Sequence, residues 1–448
     1  MEIILPEEIY TVISKITGEG FKVFLVGGAV RDILMKRNHK DWDLTTDAIP
    51  EEILKILPEG FYENVFGTVG VNTTLGILEI TTMRKEGEYR DSRRPSEVSW
   101  TKEIQEDLGR RDFTVNAIAI ELDSSHPKPL IIDPFNGQVD LDKKLIRAVG
   151  DPDTRFREDA LRLMRAVRLA TQLGFHIEEK TAASIKKNAS LIKNISGERI
   201  RDELFKILAD TKAFSGIVLL RESGILDLIL PEVTACFGVL QEGPKHDRVY
   251  DIGEHNFLAL NFCPSPDPLV KLAALLHDIG KVKTYKKDDE GNVTFFGHET
   301  AGANLTKNIS EKLRLSRKEA EKLFRLVRWH MFTVSETQTD SAIRRFIKNV
   351  GLENIDDMMA IRIADRLGGG TQTETSWRME EFKKRIKEVL KKPFSISDLK
   401  INGSEVMEIL QIKPGPRVGE ILNKLFQEVL EDHTKNNKEY LTEQIKRL

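Results

Sequence analysis

Two carboxylates one residue apart, Asp41 and Asp43, follow a glycine pair and an arginine. The stretch Phe24-Leu25-Val26-Gly27-Gly28-Ala29-Val30-Arg31-Asp32 precedes Asp41-Trp42-Asp43. Successive strand residues face opposite sides, so Asp41 and Asp43 are expected on one face of a strand. Carboxylates held side by side repel. A hard divalent cation with oxygen ligands, Mg²⁺, is the usual reason to keep them there. The Gly27-Gly28 turn lets backbone N–H groups close on a phosphate, and the helix start behind it adds a favourable dipole. Arg31 supplies a charge-assisted contact. The combination points to metal-assisted chemistry on a nucleoside triphosphate.

A second block reads Arg110-Arg111-Asp112-Phe113-Thr114-Val115-Asn116-Ala117. Guanidinium forks suit phosphates, and a carboxylate accepts ribose hydroxyls. Arg111, Asp112 and Asn116 are therefore candidates to grip a triphosphate and a ribose; a salt-bridged helix-to-strand turn is the alternative. Glu79, within Leu78-Glu79-Ile80, reads either as a third carboxylate near the metals or as an exposed strand acid. Asp133 to Leu141 is dense in turn residues and reads as a structural support.

A third block runs from Arg157 to Arg168. On a helix Asp159 and Arg162 lie three apart and are neighbours. An ordinary intrahelical ion pair is one reading. The other follows from base edges. Cytosine and adenine offer an amine donor beside a ring-nitrogen acceptor, whereas uracil and guanine offer a carbonyl beside an N–H. A carboxylate next to a guanidinium matches C and A only. A mismatch leaves a buried group unpaired, at about 1–3 kcal/mol.

Downstream lie His255, His277-Asp278, His298, His330 and Asp365. Neutral imidazoles with carboxylates suit a divalent transition metal, whose identity the ligand types leave open. A single histidine on an apolar helix is more often a satisfied core residue; the ordered set is more specific.

The elements that must position these groups divide the chain. Phe21–Val26, Thr68–Asn72, Ile77–Met83, Ala117–Leu122 and Leu130–Ile132 read as strands. From about Asp153 onward the patterns are helical, with Phe156–Leu173 a single helix and Ser196 a helix cap. Pro264–Pro268 reads as a loop, Leu367–Thr371 as a break, and Lys391-Lys392-Pro393 opens a last segment. The 448 residues suggest roughly three domains. Net charge is −3, so any RNA contact must come from local basic surface. No apolar run is long enough to span a bilayer and no signal-peptide pattern opens the chain. Cys236 and Cys263 are the only cysteines, in no metal or redox spacing. The expectation is a reduced, cytoplasmic protein with no membrane association and no obligate protein partner.

The ordered series strand–Gly-Gly–Ala-Val-Arg-Asp–helix–Asp-Trp-Asp resembles the catalytic head of class II nucleotidyltransferases, the superfamily of tRNA CCA-adding enzymes and bacterial poly(A) polymerases. The resemblance covers nearly the whole chain. It implies an α+β architecture: a polymerase-β-like head with a mixed sheet (1–150), a helical neck that recognises the base (151–225), a helical HD domain (226–390) and a helical tail with possible tRNA contact (391–448). It implies a CCA tRNA nucleotidyltransferase that adds C, C and A to the tRNA 3′ end from CTP and ATP without a template. Asp41 and Asp43 would hold two Mg²⁺ ions. Gly27, Gly28, Arg31 and Arg111 would position the triphosphate. Asp159 and Arg162 would select the base, with Arg165 and Arg168 on triphosphate or primer phosphates. Ile195–Leu204 would pack behind the pocket.

Glu86–Pro95 resembles the flexible element that CCA-adding relatives use in the final adenosine step. The basic, aromatic-containing stretch of poly(A) polymerases is missing at Phe66–Thr73. The loop favours full CCA addition over CC-adding activity, and the missing stretch leans away from the poly(A) branch; A-adding activity stays an alternative. The histidine–aspartate set resembles the HD phosphohydrolase superfamily, in which His298 and His330 match the ligands of members holding a second metal. An HD metal phosphohydrolase with an RNA-binding head is the alternative of a different class. The loop Lys413–Gly419 reads either as a phosphate-binding turn or as a plain helix connection.

Overall fold

The computed structural model describes residues 5–38, 42–64, 67–87, 98–122, 129–241, 250–287, 289, 291–332, 338–371, 373–390 and 396–447. It divides into two compact units: Met1–Ala235 with Ile309–Leu315, and Cys236–Asn308 with Ser316–Leu448.

The first unit is built on a seven-stranded mixed sheet. Its strands are β1 (Val23–Val26), β2 (Asp43–Thr46), β3 (Phe61–Asn64), β4 (Thr68–Thr73), β5 (Gly76–Thr82), β8 (Ala119–Glu121) and β9 (Leu130–Ile132). Their order is β3-β4-β5-β2-β1-β8-β9. Only β2 and β5 run parallel, pairing Asp43 with Glu79 and Leu44 with Ile80. All four residues of β1 are buried, as expected of an apolar central strand covered on both faces. Phe24 and Val26 pack with Met83, Ile104, Leu108 and Val149. Each such buried side chain contributes about 1.5–3 kcal/mol.

Two short strands, β6 (Arg84–Glu86) and β7 (Val98–Trp100), pair antiparallel as a separate ribbon. The expected loop Glu86–Pro95 leads out of this ribbon; its residues 88–95 lie outside the described residues. The strand expected over Ala117–Leu122 is shorter, because Thr114–Asn116 forms a 3₁₀ turn ahead of it.

The helix expected over Phe156–Leu173 is two helices, Pro152–Glu158 and Leu161–Leu173. The break falls at Asp159, whose backbone is extended at φ −139° and ψ 105°. Its carboxylate accepts from Leu161 N at 3.1 Å. A short acidic side chain competes for backbone donors, and here capping prevails over helix continuation. Ser196 does precede the helix Gly197–Leu208, without a side-chain cap bond.

The second unit is helical. Asp251 caps the helix Ile252–Phe262, accepting from Gly253 N at 2.8 Å. Asp267 caps Pro268–Leu276 after the expected Pro-rich loop. Helices His298–Lys312, Arg317–Trp329 and Ile355–Gly368 follow, the last ending at the expected Gly-Gly-Gly break. Residues 396–447 carry their own core, in which Leu399, Val406, Leu425, Val429, Leu441 and Ile445 are buried. Among the described residues no helix is long and apolar enough to cross a membrane.

Candidate active site and metal centre

In the head, Asp43 opens β2 and Glu79 stands beside it on parallel β5. Both line a cleft of about 330 Å³ whose other walls carry Arg84, Arg110 and Arg111. Gly27 follows Val26, which lines the cleft at the end of β1. It has φ +72°, and a Cβ there would stand 3.3 Å from both Arg111 Nη1 and Asp43 Oδ2. A side chain would crowd the place where a carboxylate and a guanidinium approach each other, so glycine fits on both counts. Asp41 lies outside the described residues. Asp43 and Glu79 are an oxygen donor set that fits a hard divalent cation.

The arginines are held by a residue that sequence reasoning passed over. Asp107, fully buried, accepts from Arg110 Nη2 at 2.8 Å and from Arg111 Nη2 at 3.1 Å. Burial alone would raise its carboxyl, but the two guanidiniums outweigh it and hold it below the usual range. The i, i+3 and i, i+4 spacing of Asp107 to Arg110 and Arg111 was the available signal.

Four expected nucleotide-binding residues form one hydrogen-bonded chain. Arg31 Nη1 donates to Asn116 Oδ1 at 2.8 Å, and Asn116 Nδ2 donates to Asp112 Oδ1 at 3.2 Å. Arg165 Nε donates to Asp112 Oδ2 at 2.7 Å. Burial works to raise the Asp112 carboxyl; Arg165 and Arg162 overcome it and hold it at about 2.

Asp159 and Arg162 are not paired with each other, contrary to the expected intrahelical contact. Asp159 Oδ2 accepts from Arg199 Nη2 at 2.9 Å. Arg162 Nη1 donates to Glu158 Oε2 at 2.7 Å, and its Nη2 to Arg110 O at 2.9 Å. The helix break explains this, because it turns Asp159 away from the i, i+3 position. Arg168 is committed to Glu203 at 2.6 Å and Gln172 at 3.1 Å, on the helices Gly197–Leu208 and Leu161–Leu173. Glu158, Arg199 and Glu203 are thus partners that motif spacing alone did not single out.

In the second unit six side chains from five helical segments converge. His255, His277 and Asp365 form one group and Asp278, His298 and His330 another, each with its ligand atoms within 4.8 Å. Asp278 joins them. Its Oδ2 lies 3.5 Å from His255 Nε2 and 3.4 Å from His277 Nε2. Its Oδ1 lies 3.2 Å from His298 Nε2 and 3.6 Å from His330 Nε2. Asp365 Oδ1 stands 3.3 Å from His255 Nε2.

Three of the rings are oriented by backbone carbonyls. Nδ1 of His277, His298 and His330 meets the carbonyls of Ala274, Phe295 and Val327 at 2.8, 2.9 and 2.8 Å. Donation there leaves each Nε2 lone pair facing inward, the usual arrangement of a metal-ligating imidazole. Lys281 also bonds Asp278 Oδ2. The glycine of His277-Asp278-Ile279-Gly280 has a steric cause: a Cβ on Gly280 would stand 2.0 Å from His298 O. This donor set fits two divalent cations sharing the Asp278 carboxylate. Cys236 and Cys263 are buried thiols outside any disulfide and belong to neither group. Burial pushes the Cys236 thiol up to about 12.

Residues 23–147 match the poly A polymerase head domain. Residues 174–237 match the region described as a probable RNA and SrmB-binding site of polymerase A, and residues 302–445 match tRNA nucleotidyltransferase domain 2. A CCA-adding enzyme of Pediococcus pentosaceus is 32% identical over 432 residues, covering 96% of this chain and 95% of that protein. An A-adding tRNA nucleotidyltransferase of Deinococcus radiodurans is 32% identical over 417 residues, 90% of each. The crystal structure of Bacillus stearothermophilus CCA-adding enzyme in complex with CTP is 25% identical. It covers 99% of this chain and 98% of that one at a TM-score of 0.71. With its head motifs in order and its whole length matched, this chain belongs to the CCA-adding enzyme family of tRNA nucleotidyltransferases.

Proposed function

We propose that the chain adds C, C and A to the 3′ end of tRNA, drawing on CTP and ATP. One observation carries this reading: Asp43 and Glu79 face Arg84, Arg110 and Arg111 across one cleft, in a chain matched end to end by a CCA-adding enzyme. The primer 3′-oxygen bonds to the α-phosphorus of the nucleotide, the α–β phosphoanhydride breaks, and pyrophosphate leaves. Asp43, with Asp41 and Glu79, would hold Mg²⁺, which would supply activation of the primer hydroxyl and neutralisation of the leaving group. Arg111 and Arg31, with the Gly27-Gly28 turn, orient the triphosphate.

Asp159 and Arg162 read the base as two separately braced groups. Arg199 steadies the carboxylate, which offers about four acceptor sites and so keeps capacity for an exocyclic amine. Glu158 and the Arg110 carbonyl steady the guanidinium, which has five N–H donors. The test supplies each nucleoside triphosphate singly to a tRNA lacking its terminal CCA. Incorporation from CTP, and from ATP once the RNA ends in CC, supports the reading; incorporation of UTP or GTP at comparable rates opposes it.

A second reading concerns the second unit. The bridging position of Asp278 between two ligand groups favours a two-metal phosphohydrolase centre there. Hydrolysis of a generic phosphate ester by metal-loaded protein, lost in His277→Ala, tests it.

A further inference from the structure

The head sheet sets one row of residues across four strands. Asp43 on β2 stands opposite Glu79 on β5, Glu79 opposite Gly70 on β4, and Gly70 opposite Phe61 on β3. Directly paired residues share a face of a sheet, so Gly70 and Phe61 lie on the face that carries the two carboxylates. Thr68 and Thr81, on the same alternation, line the cleft with those carboxylates. The Phe61 ring lies across Gly70. A Cβ there would stand 2.6 Å from Phe61 Cζ and 3.2 Å from Ile77 Cγ2, so a side chain would displace the ring. Ile77 precedes Glu79 by two residues and shares its face. Phe61 is 38% exposed and Ile77 55%, although both are apolar. With the bare backbone of Gly70 they form an apolar shelf that begins beside Glu79 and ends two strands away, about 10 Å.

The other side of the carboxylates is equipped differently. Toward β1, Gly27 and Arg111 approach Asp43, and the Gly27-Gly28 turn presents backbone N–H groups suited to phosphates. In an in-line displacement the attacking and leaving oxygens stand on opposite sides of the phosphorus. With pyrophosphate leaving on the β1 side, the primer oxygen arrives from the side of β4 and β3. We infer that Phe61 and Ile77 seat the last base of the RNA primer by stacking, which brings its 3′-hydroxyl to Asp43 and Glu79. This role rests on the nucleotidyl-transfer reading of the same cleft. An aromatic and an aliphatic side chain read no base identity, because every base has a π-face. Such a seat suits successive additions to one RNA, whose last base is first the discriminator and then C.

The test measures addition from CTP to a tRNA lacking its CCA by full-length Phe61→Ala, Phe61→Trp and, on the other face of β3, Tyr62→Ala. Phe61→Ala should raise KM for the tRNA about tenfold, the order of one base–aromatic stack, and leave KM for CTP unchanged. Phe61→Trp should restore it, and Tyr62→Ala should match the parent. A primer whose last nucleotide is abasic should lose the same factor with the parent and nothing further with Phe61→Ala. If Phe61→Ala still prefers the intact primer by the full factor, or raises KM for CTP and tRNA alike, the shelf is not the primer's seat. Fluorescence of 2-aminopurine placed as the last base of the primer, read without nucleotide, separates this result from failure of the addition reading. Quenching by the parent that Phe61→Ala relieves upholds the shelf even if no nucleotide is added. Equal quenching by both proteins overturns it even if CCA is made.

Discussion

Asp43 and Glu79 stand directly opposite each other on the only parallel strand pair of the head sheet. Each is carried by a strand whose neighbouring residues, Leu44 and Ile80, are buried. The backbone therefore sets the two carboxylates side by side, although Glu79 is itself exposed on its strand. Asp43→Asn should lower nucleotide addition about 10³-fold, which is about 4 kcal/mol of barrier. Glu79→Gln should lower it about tenfold. Single-turnover kinetics with saturating primer measure both; unchanged rates in Glu79→Gln would return that residue to the bland reading.

The separate bracing of Asp159 and Arg162 makes a prediction that a direct ion pair does not. Arg162→Ala should erode preference for CTP over UTP by about 10–100-fold, from losing contacts worth about 1.5–3 kcal/mol. Arg199→Gln should erode it too, although Arg199 lies outside the base-reading block. Competition assays with mixed triphosphates decide. Selectivity surviving in Arg199→Gln would mean that its bond to Asp159 only supports the fold.

The six-ligand cluster predicts metal content. Protein purified without chelator should carry close to two divalent transition-metal ions per chain by elemental analysis. Asp278→Ala should lose most of both, because that carboxylate faces both histidine groups. His330→Ala should lose only one. Since none of these residues belongs to the head, CCA addition should persist in each variant. Retention of full metal by Asp278→Ala would contradict the shared-carboxylate arrangement.

Asp112, held by Arg165 and Asn116, also bears on stability. Its carboxyl sits at about 2, below the ordinary 3.8. A lowered carboxyl contributes stability that is present above about pH 4 and lost as pH falls through about 2. The difference corresponds to roughly 2 kcal/mol. Asp112→Asn should therefore be less stable at neutral pH and show a shallower decline between pH 4 and 2. Thermal midpoints across that range check the sign. A parallel decline in both proteins would remove Asp112 from the account.

Much of this was legible in the chain, for identifiable reasons. The apolar run Val23–Val26 could only be a covered strand, and the Gly27-Gly28 turn had to follow it. The histidine and aspartate positions were visible because few residue types bind transition metals. Their division into two groups around Asp278 was not, because it depends on five helical segments meeting. The pairing of Arg162 was misread for a local reason: Asp159 caps the next helix instead of continuing the first. Asp107, Glu158, Arg199 and Glu203 were passed over because a bracing carboxylate or guanidinium looks, in sequence, like any surface charge. The Asp107 spacing was the exception that could have been read.

The central claim is templated by protein groups alone: C, then C, then A. It is tested most directly by sequencing the 3′ ends made from a tRNA ending at its discriminator base, with Mg²⁺, CTP and ATP together. The account predicts products that stop at CCA. Products stopping at CC, no addition to this tRNA, or a run of A would each contradict it.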